Sequence, residues 1–541
     1  MVRIRRVIDS ILEEKISLLA WAGGFLGMVL IRCFIEQFLA GSPPLLVSER
    51  VVEFVHNLFF FLLSILMLWI FLSWILKVNP LKLSGVFFRA SFLMILPPVI
   101  DMLKTGGEVF WSFYLLSNIK DLKIQFLTVF GHLPSGIVYF GTKITFILAI
   151  FLVGFLVRAL TKNWVKTIIS AVGSYVILFF MGSFPTIFFF GYNFFFGTQK
   201  FTQIQGFNVA QFFGNPQSFF GVSPPSIKYA FSFKLDLVYF IFLVFLLFVL
   251  FYLSNRKKLW AILKNFRYPQ VIYHSGLFLV GVGLGSLAYP ENFRLNLFSI
   301  ASLLVLLISV WLAWKASVVV NDINDFEIDK ISNPERPLPR GIFSQEEYAN
   351  FGAICFLLSL LGALVLGLSF FVLLLLYQIL AWFYSAHPIR LKKFPGIATF
   401  TSALASLLIL FLGYILISPE QTIQGLSWRI PLLLLVTYTI SLPIKDLKDI
   451  AGDKQDEVWT IPVILGEKRG RLFIAASLLI SFMLSVFFLN ELRLFWWALI
   501  FGISSFLVVN SLGLNPRKVF WPVLGLAAVY GLILVKLVFI D

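Results

Sequence analysis

About fifteen runs of roughly 20 apolar residues, each the length a helix needs to cross ~30 Å of hydrocarbon, constrain this 541-residue chain more than any other feature. The sequence is 59% hydrophobic and only 13% charged, against about 25% charged residues in a typical soluble domain. An ordinary globular enzyme is thereby excluded. The chain reads as an all-α polytopic membrane protein.

Lys and Arg number 43 against 27 Asp and Glu, a formal charge of +16. In a soluble protein that excess would point to nucleic acid. Here basic cytoplasmic loops facing anionic headgroups account for it, and no nucleic-acid partner is expected. Cys33 and Cys355 both sit inside apolar runs, so no disulfide framework is implied. The basic start Met1-Val-Arg-Ile-Arg-Arg6 predicts a cytoplasmic N-terminus. The first apolar run begins near Leu18 without a small-residue cleavage site and reads as a retained helix.

A basic, helix-breaking stretch ending in Phe266-Arg-Tyr-Pro269 separates two membrane modules. Residues 1–254 predict about six spans, near 17–39, 52–75, 86–104, 136–158, 167–190 and 235–254; 255–269 form a cytoplasmic linker; 270–541 predict nine more. A segment rich in Phe, Gly, Asn and Gln, from Phe194 to Ser226, is expected at the outer interface, where aromatic rings are favoured. In the second module one set of alternate loops carries nearly all the Lys and Arg, including Arg336, Arg340, Arg390, Lys392, Lys393, Lys445 and Lys448; the opposite set holds Arg294, Arg429 and Arg493. The positive-inside bias makes the first set cytoplasmic.

Ten of the 27 acidic residues fall within 322–335 and 446–457, each window directly after a predicted span. Both repeat the spacing D-x-x-D-x-x-x-D at a constant offset of 124: Asp322, Asp325 and Asp329, then Asp446, Asp449 and Asp453. This is an internal repeat closing the second helix of each four-helix unit. On a helix such spacings share one face, and Asn321 joins the first set. Two facing carboxylate-lined ends repel one another unless cations fill the gap. Hard oxygen ligands favour Mg²⁺, which is usually completed by substrate phosphates. A solvated acidic loop would explain either cluster alone but not two in phase.

These residues resemble the UbiA-type intramembrane prenyltransferases. Asn321-Asp322-x-x-Asp325-x-x-x-Asp329 is followed by Asn333-Pro-Glu-Arg-Pro-Leu-Pro-Arg-Gly341, similar to the family's RPLPSG stretch with Arg340 where Ser is frequent. Tyr384-Ser-Ala-His-Pro-Ile-Arg-Leu-Lys-Lys393 is similar to its YSxxPxRLK loop, and Lys445-Asp-Leu-Lys-Asp-Ile-Ala-Gly-Asp453 to its second motif. Glu327-Ile-Asp329 with Arg336-Pro-Leu-Pro looks most like the digeranylgeranylglyceryl phosphate synthase and chlorophyll synthase branches. The resemblance covers roughly 260–541 and implies a nine-helix UbiA-like bundle.

That resemblance also implies transfer of a polyprenyl group from its diphosphate to an aromatic ring or a lipid hydroxyl. It assigns Asn321, Asp322, Asp325 and Asp329 to one Mg²⁺ and Asp446, Asp449 and Asp453 to a second, with Asp322, Asp325, Asp446 and Asp449 as the catalytic carboxylates. Asn321, Arg336, Tyr384, Lys392, Lys393 and Lys445 are the expected diphosphate contacts. A cation transporter or lipid-binding scaffold is the alternative, but it predicts acids near the bilayer midplane rather than at span ends. CDP-alcohol phosphotransferases need a DGxxAR element that the sequence lacks. In 1–254, Arg32 and Glu36 at i, i+4, with Asp101 and Lys143, are ionisable residues in or near apolar runs, where a functional role and an internal ion pair compete.

Overall fold

The structure, a computed structural model, describes residues 2–14, 16–40, 47–105, 118–130, 140–197, 203–448, 450, 454, 458–511 and 516–540. Among these, fifteen helices are long and apolar enough to cross a membrane. Among the described residues helix is the only regular structure apart from one isolated antiparallel bridge between Phe219 and Val222. The chain is a multi-pass integral membrane protein.

It divides into two compact units. The first comprises Met1–Ser218, Ser223–Trp260 and Asn296–Val305; the second comprises Phe219–Val222, Ala261–Leu295 and Leu306–Asp541.

Among the described residues the first unit holds six spans: Leu18–Phe38, Val47–Leu76, Pro80–Lys104, Phe140–Thr161, Trp164–Gly182 and Ile227–Ser254. The fifth, expected to reach residue 190, stops at Gly182. A new helix, Phe184–Phe196, starts after Ser183 with a proline in its first turn, where a missing N–H costs nothing. The aromatic stretch that follows includes a short helix, Gly206–Gly214. Val47–Leu76 packs against Ile227–Ser254 and Trp164–Gly182. Arg32 is buried, and its Nη1 donates to Glu36 at 2.6 Å and to Asn57 at 2.8 Å, so this pair ties two spans together. Asp101 accepts from the Gly141 N–H at 2.6 Å. His56 Nδ1 meets Asp236 at 2.7 Å, a buried contact between spans that no local pattern announces.

The second unit holds nine spans among the described residues, beginning with Tyr268–Ala288 and ending with Lys518–Val538. Ser344 opens the third of them, Gln345–Leu366, in a reciprocal cap: its hydroxyl accepts from the Glu347 N–H while Glu347 accepts from the Ser344 N–H. The fifth span, Ile397–Ile417, is the most enclosed, with 72% of its apolar window buried; the ninth has 11%. The first and fifth spans cross closely. A Cβ on Gly281 would lie 2.1 Å from the Leu410 carbonyl oxygen, and one on Gly413 would lie 2.0 Å from that of Phe278. Only hydrogen fits at either point, the device by which membrane helices gain contact when lipid offers no hydrophobic drive.

Candidate active site

The second span of this unit, within Leu297–Asn324, delivers Asn321 and Asp322 in its last turn. The helix breaks at Asp325 (φ −101°, ψ 14°) and resumes as Phe326–Ser332. Backbone bonds from the Asp325 N–H to Asn321 O (2.9 Å) and from the Asp329 N–H to Asp325 O (2.8 Å) carry the chain across the break. The single face expected from the spacing is therefore divided. Asp322 and Asp329 share Arg336, whereas Asp325 meets the loop after the fourth span.

Each carboxylate has its own partners. Asp325 accepts from Arg390 Nη2 at 2.9 Å and from Lys392 Nζ, 2.5 Å from its Oδ2. Asp329 accepts from Arg336 Nη1 and from Asn333 Nδ2, the latter at 3.0 Å. Asp322, 1% exposed, accepts from Arg267 (2.5 Å), Asn265 (2.8 Å), the Tyr348 hydroxyl (2.9 Å) and Arg336 (3.4 Å). Burial pushes the Asp329 carboxyl up from its ordinary value, against the downward pull of the Arg336 guanidinium. For Arg336 burial works against the charge, but Asp322 and Asp329 outweigh it and raise its pKa.

The second motif follows the sixth span, Arg429–Ser441, where Leu442–Lys448 winds as a tighter 3₁₀ helix instead of continuing as α. Lys445 Nζ donates to the Tyr384 hydroxyl at 3.0 Å and lies 5.1 Å from the ring centre. Asp446 is half-buried. Asp449 and Asp453, with Asp456 and Glu457, lie outside the described residues.

One pair of neighbouring residues joins the two motifs. At the end of the fourth span, Leu368–Ser385, the Ser385 hydroxyl donates to Asn321 Oδ1 at 3.3 Å, and Tyr384 receives Lys445. The structure thus brings Asn321, Asp325, Tyr384, Lys392 and Lys445 to one end of the bundle, with Arg336 bridging Asp322 and Asp329. Lys393 is half-buried and, among the described residues, makes no ion pair with a motif carboxylate. Sequence reasoning passed over Asn265, Tyr348 and Ser385 and read Arg390 only as a basic loop residue. Arg390 is 5% exposed, far more buried than a loop charge answering to lipid.

Among the described residues no three His, Cys, Asp or Glu side chains converge to hold a metal by themselves. The donors present are hard oxygens ringed by Lys and Arg. That set suits Mg²⁺ completed by a phosphate ligand better than a protein-only cage. Along the first span, Gly276, Leu279, Val280, Gly283, Leu284 and Leu287, with Val535 of the ninth, line an apolar cavity of about 230 Å³.

Parts of this chain are similar to known proteins. Residues 277–519 match the UbiA prenyltransferase family. A digeranylgeranylglyceryl phosphate synthase of Sulfolobus acidocaldarius is 34% identical over 151 residues, 28% of this chain and 52% of that protein. Another, from Pyrococcus horikoshii, is 30% identical over 191 residues, 35% of this chain and 65% of that protein. The chain therefore spans between half and two thirds of the length of these curated relatives. A solved UbiA homologue from Archaeoglobus fulgidus, bound to GPP and Mg²⁺, aligns at 20% identity with a TM-score of 0.41, covering 51% of this chain and 99% of that one. The likeness to the UbiA prenyltransferase family thus lies in residues 277–519, within the C-terminal half of this chain.

Proposed function

We propose that residues 270–541 form a prenyltransferase that moves a polyprenyl group from its diphosphate to the hydroxyl of a glycerol phosphate lipid. The digeranylgeranylglyceryl phosphate synthases among its relatives support a lipid hydroxyl over an aromatic acceptor. The observation that carries the reading is the pair Tyr384 and Ser385, which links Lys445 of the second motif to Asn321 of the first. On this reading the diphosphate lies between the motif ends. Asn321, Asp325 and Asp329 would hold one Mg²⁺, and Asp446, Asp449 and Asp453 would hold a second. Asp322, expected in the first set, has its carboxylate already filled by four donors.

When bound, Mg²⁺ supplies Lewis-acid neutralisation of the departing diphosphate. Arg336, Lys392 and Lys445 are preorganised to share that developing charge. The allylic C1–O bond breaks with its electron pair going to the diphosphate. The Tyr384 ring, beside Lys445, shields the resulting allylic cation by its π face. The acceptor oxygen attacks C1, and its proton passes to the departing diphosphate. The polyprenyl tail lies along the apolar cavity between the first and ninth spans. The mouth faces the cytoplasm, where basic loops concentrate. Residues 1–254 act as a separate membrane module joined through the basic linker 255–269.

The test is turnover in nanodiscs with labelled geranylgeranyl diphosphate, Mg²⁺ and either geranylgeranylglyceryl phosphate or 4-hydroxybenzoate. A prenylated lipid identified by mass is expected. No product from either acceptor, or full activity in Asp325→Ala, would overturn the reading.

A further inference from the structure

Asp322 differs from its neighbours in who holds it. Its four donors come from three separate parts of the second unit: Asn265 and Arg267 ahead of the first span, Arg336 from the loop after the motif, and Tyr348 at the start of the third span. A carboxylate offers about four lone-pair sites, and here each oxygen receives two donors. Two of these donors are neutral and packed: Tyr348 is fully buried, and Asn265 Nδ2 also reaches its hydroxyl at 3.2 Å. Asn265 is fixed in turn, because buried Lys315 donates to its backbone carbonyl at 3.0 Å. Bringing a metal to Asp322, itself 1% exposed, would strip donors from a buried carboxylate. Asp325 is held differently, by Arg390 and by the long, adaptable Lys392, which a diphosphate can draw away. Asp446, 124 residues on from Asp322, is half-buried, so the two copies of the motif are not equivalent.

Resting on the prenyltransferase reading for its context, we infer that Asp322 is the hub of a metal-independent lock, and that Arg267 is a positioning residue that keeps Arg336 at the mouth. Arg336 is divided between Asp322 and Asp329. With Arg267 in place, Asp322 Oδ1 is satisfied at 2.5 Å and holds Arg336 only loosely, at 3.4 Å. Without Arg267, Asp322 is left with Arg336 as its only ion-pair partner and pulls that guanidinium inward, away from an incoming diphosphate. The segment just before the first span thereby sets the position of a substrate-binding arginine.

Two measurements test this, one of them free of turnover. Mn²⁺ binding by electron paramagnetic resonance, on the whole protein in nanodiscs with a non-hydrolysable geranylgeranyl thiolodiphosphate, should be lost in Asp325→Asn and stay within about threefold of wild type in Asp322→Asn. Thermal unfolding of the metal-free protein should show Arg267→Ala and Asp322→Asn to be non-additive. Should Asp322→Asn fail to fold, Tyr348→Phe, which removes one donor, should lower Tm by roughly 3 °C or more with Mn²⁺ binding intact. In turnover, Arg267→Ala should raise the KM for donor at least tenfold with kcat within about threefold, and Arg267→Lys should recover part of that loss. Mn²⁺ lost in Asp322→Asn at unchanged Tm, or additive unfolding effects, would overturn the lock. A Tm loss in Arg267→Ala with KM unchanged would overturn the positioning role. If the protein has no prenyl transfer, the wild type makes no product and binds no Mn²⁺, while the coupling in the metal-free protein still reads out.

Discussion

Lys445 donates its ammonium proton to the Tyr384 hydroxyl at 3.0 Å, and the same ammonium lies 5.1 Å from the centre of that ring. The two contacts are separable. Tyr384→Phe removes only the hydroxyl and should cost about 1 kcal/mol, roughly a fivefold loss in kcat/KM. Tyr384→Ala also removes the ring that, on the prenyltransferase reading, faces the allylic cation, and the loss should exceed tenfold. Steady-state kinetics on the two variants check the order; equal losses would leave the ring without a role.

Arg390 is buried against Asp325. Truncating one partner of a buried pair leaves a charge uncompensated, at a cost of about 3 kcal/mol or more. Lys392 still faces Asp325, so Arg390→Ala should fall at the low end of that range. Detergent-resistant thermal unfolding should register it, and an unchanged Tm would show that Lys392 suffices.

Asp329 sets a pH dependence through its raised pKa. A carboxyl whose folded pKa exceeds its unfolded value of about 3.9 destabilises the fold once ionised. That penalty is present at neutral pH and is relieved as pH falls through the folded pKa. Asp329→Asn does not titrate. Relative to this variant, the wild type should gain Tm as pH is lowered from 7 toward 4, and a parallel pair of Tm–pH curves would contradict the shift.

The apolar cavity beside the first span predicts a chain-length effect. A Cβ on Gly276 or Gly283 meets nothing within 4 Å, so a larger side chain enters open space. Gly283→Leu should fold normally yet fill the cavity. KM for geranylgeranyl diphosphate should rise by about tenfold, from the loss of roughly 1.4 kcal/mol of apolar contact, while KM for dimethylallyl diphosphate stays constant.

Gly281 and Gly413 behave oppositely. An added methyl at either would press into a backbone carbonyl, and overpacking of this kind costs about 1–3 kcal/mol. Gly281→Ala and Gly413→Ala should each lower Tm, while Gly276→Ala should not.

What could be read before any coordinates follows from the range of the interactions. Run length fixes spans, because hydrocarbon thickness dictates it, and fifteen spans are observed where about fifteen were expected, although several ends differ by eight residues or more. The aspartate motifs are local patterns repeated at one offset, so Asn321, Asp325 and Lys445 were legible together. Partner choice was not. Asn265 and Tyr348 meet Asp322 across separations of 57 and 26 residues, and Arg390 meets Asp325 across 65. No periodicity records such pairings. The helix break at Asp325 was equally invisible, whereas the 3₁₀ winding of Leu442–Lys448 contains Pro443, whose missing N–H disfavours a continuous α-helix there. In the first unit Arg32 and Glu36 were visible because they are neighbours on one helix; His56 and Asp236, 180 residues apart, were not.

The backbone-to-backbone meeting of Gly281 with Leu410 and of Gly413 with Phe278 also bears on how this bundle can diversify. Two helices already at their distance of closest approach act as a fixed axle, and the bundle cannot narrow by drawing them together. Adaptation to bulkier or slimmer substrates is thereby pushed outward, onto side chains at the rim and onto the loosely enclosed final helix.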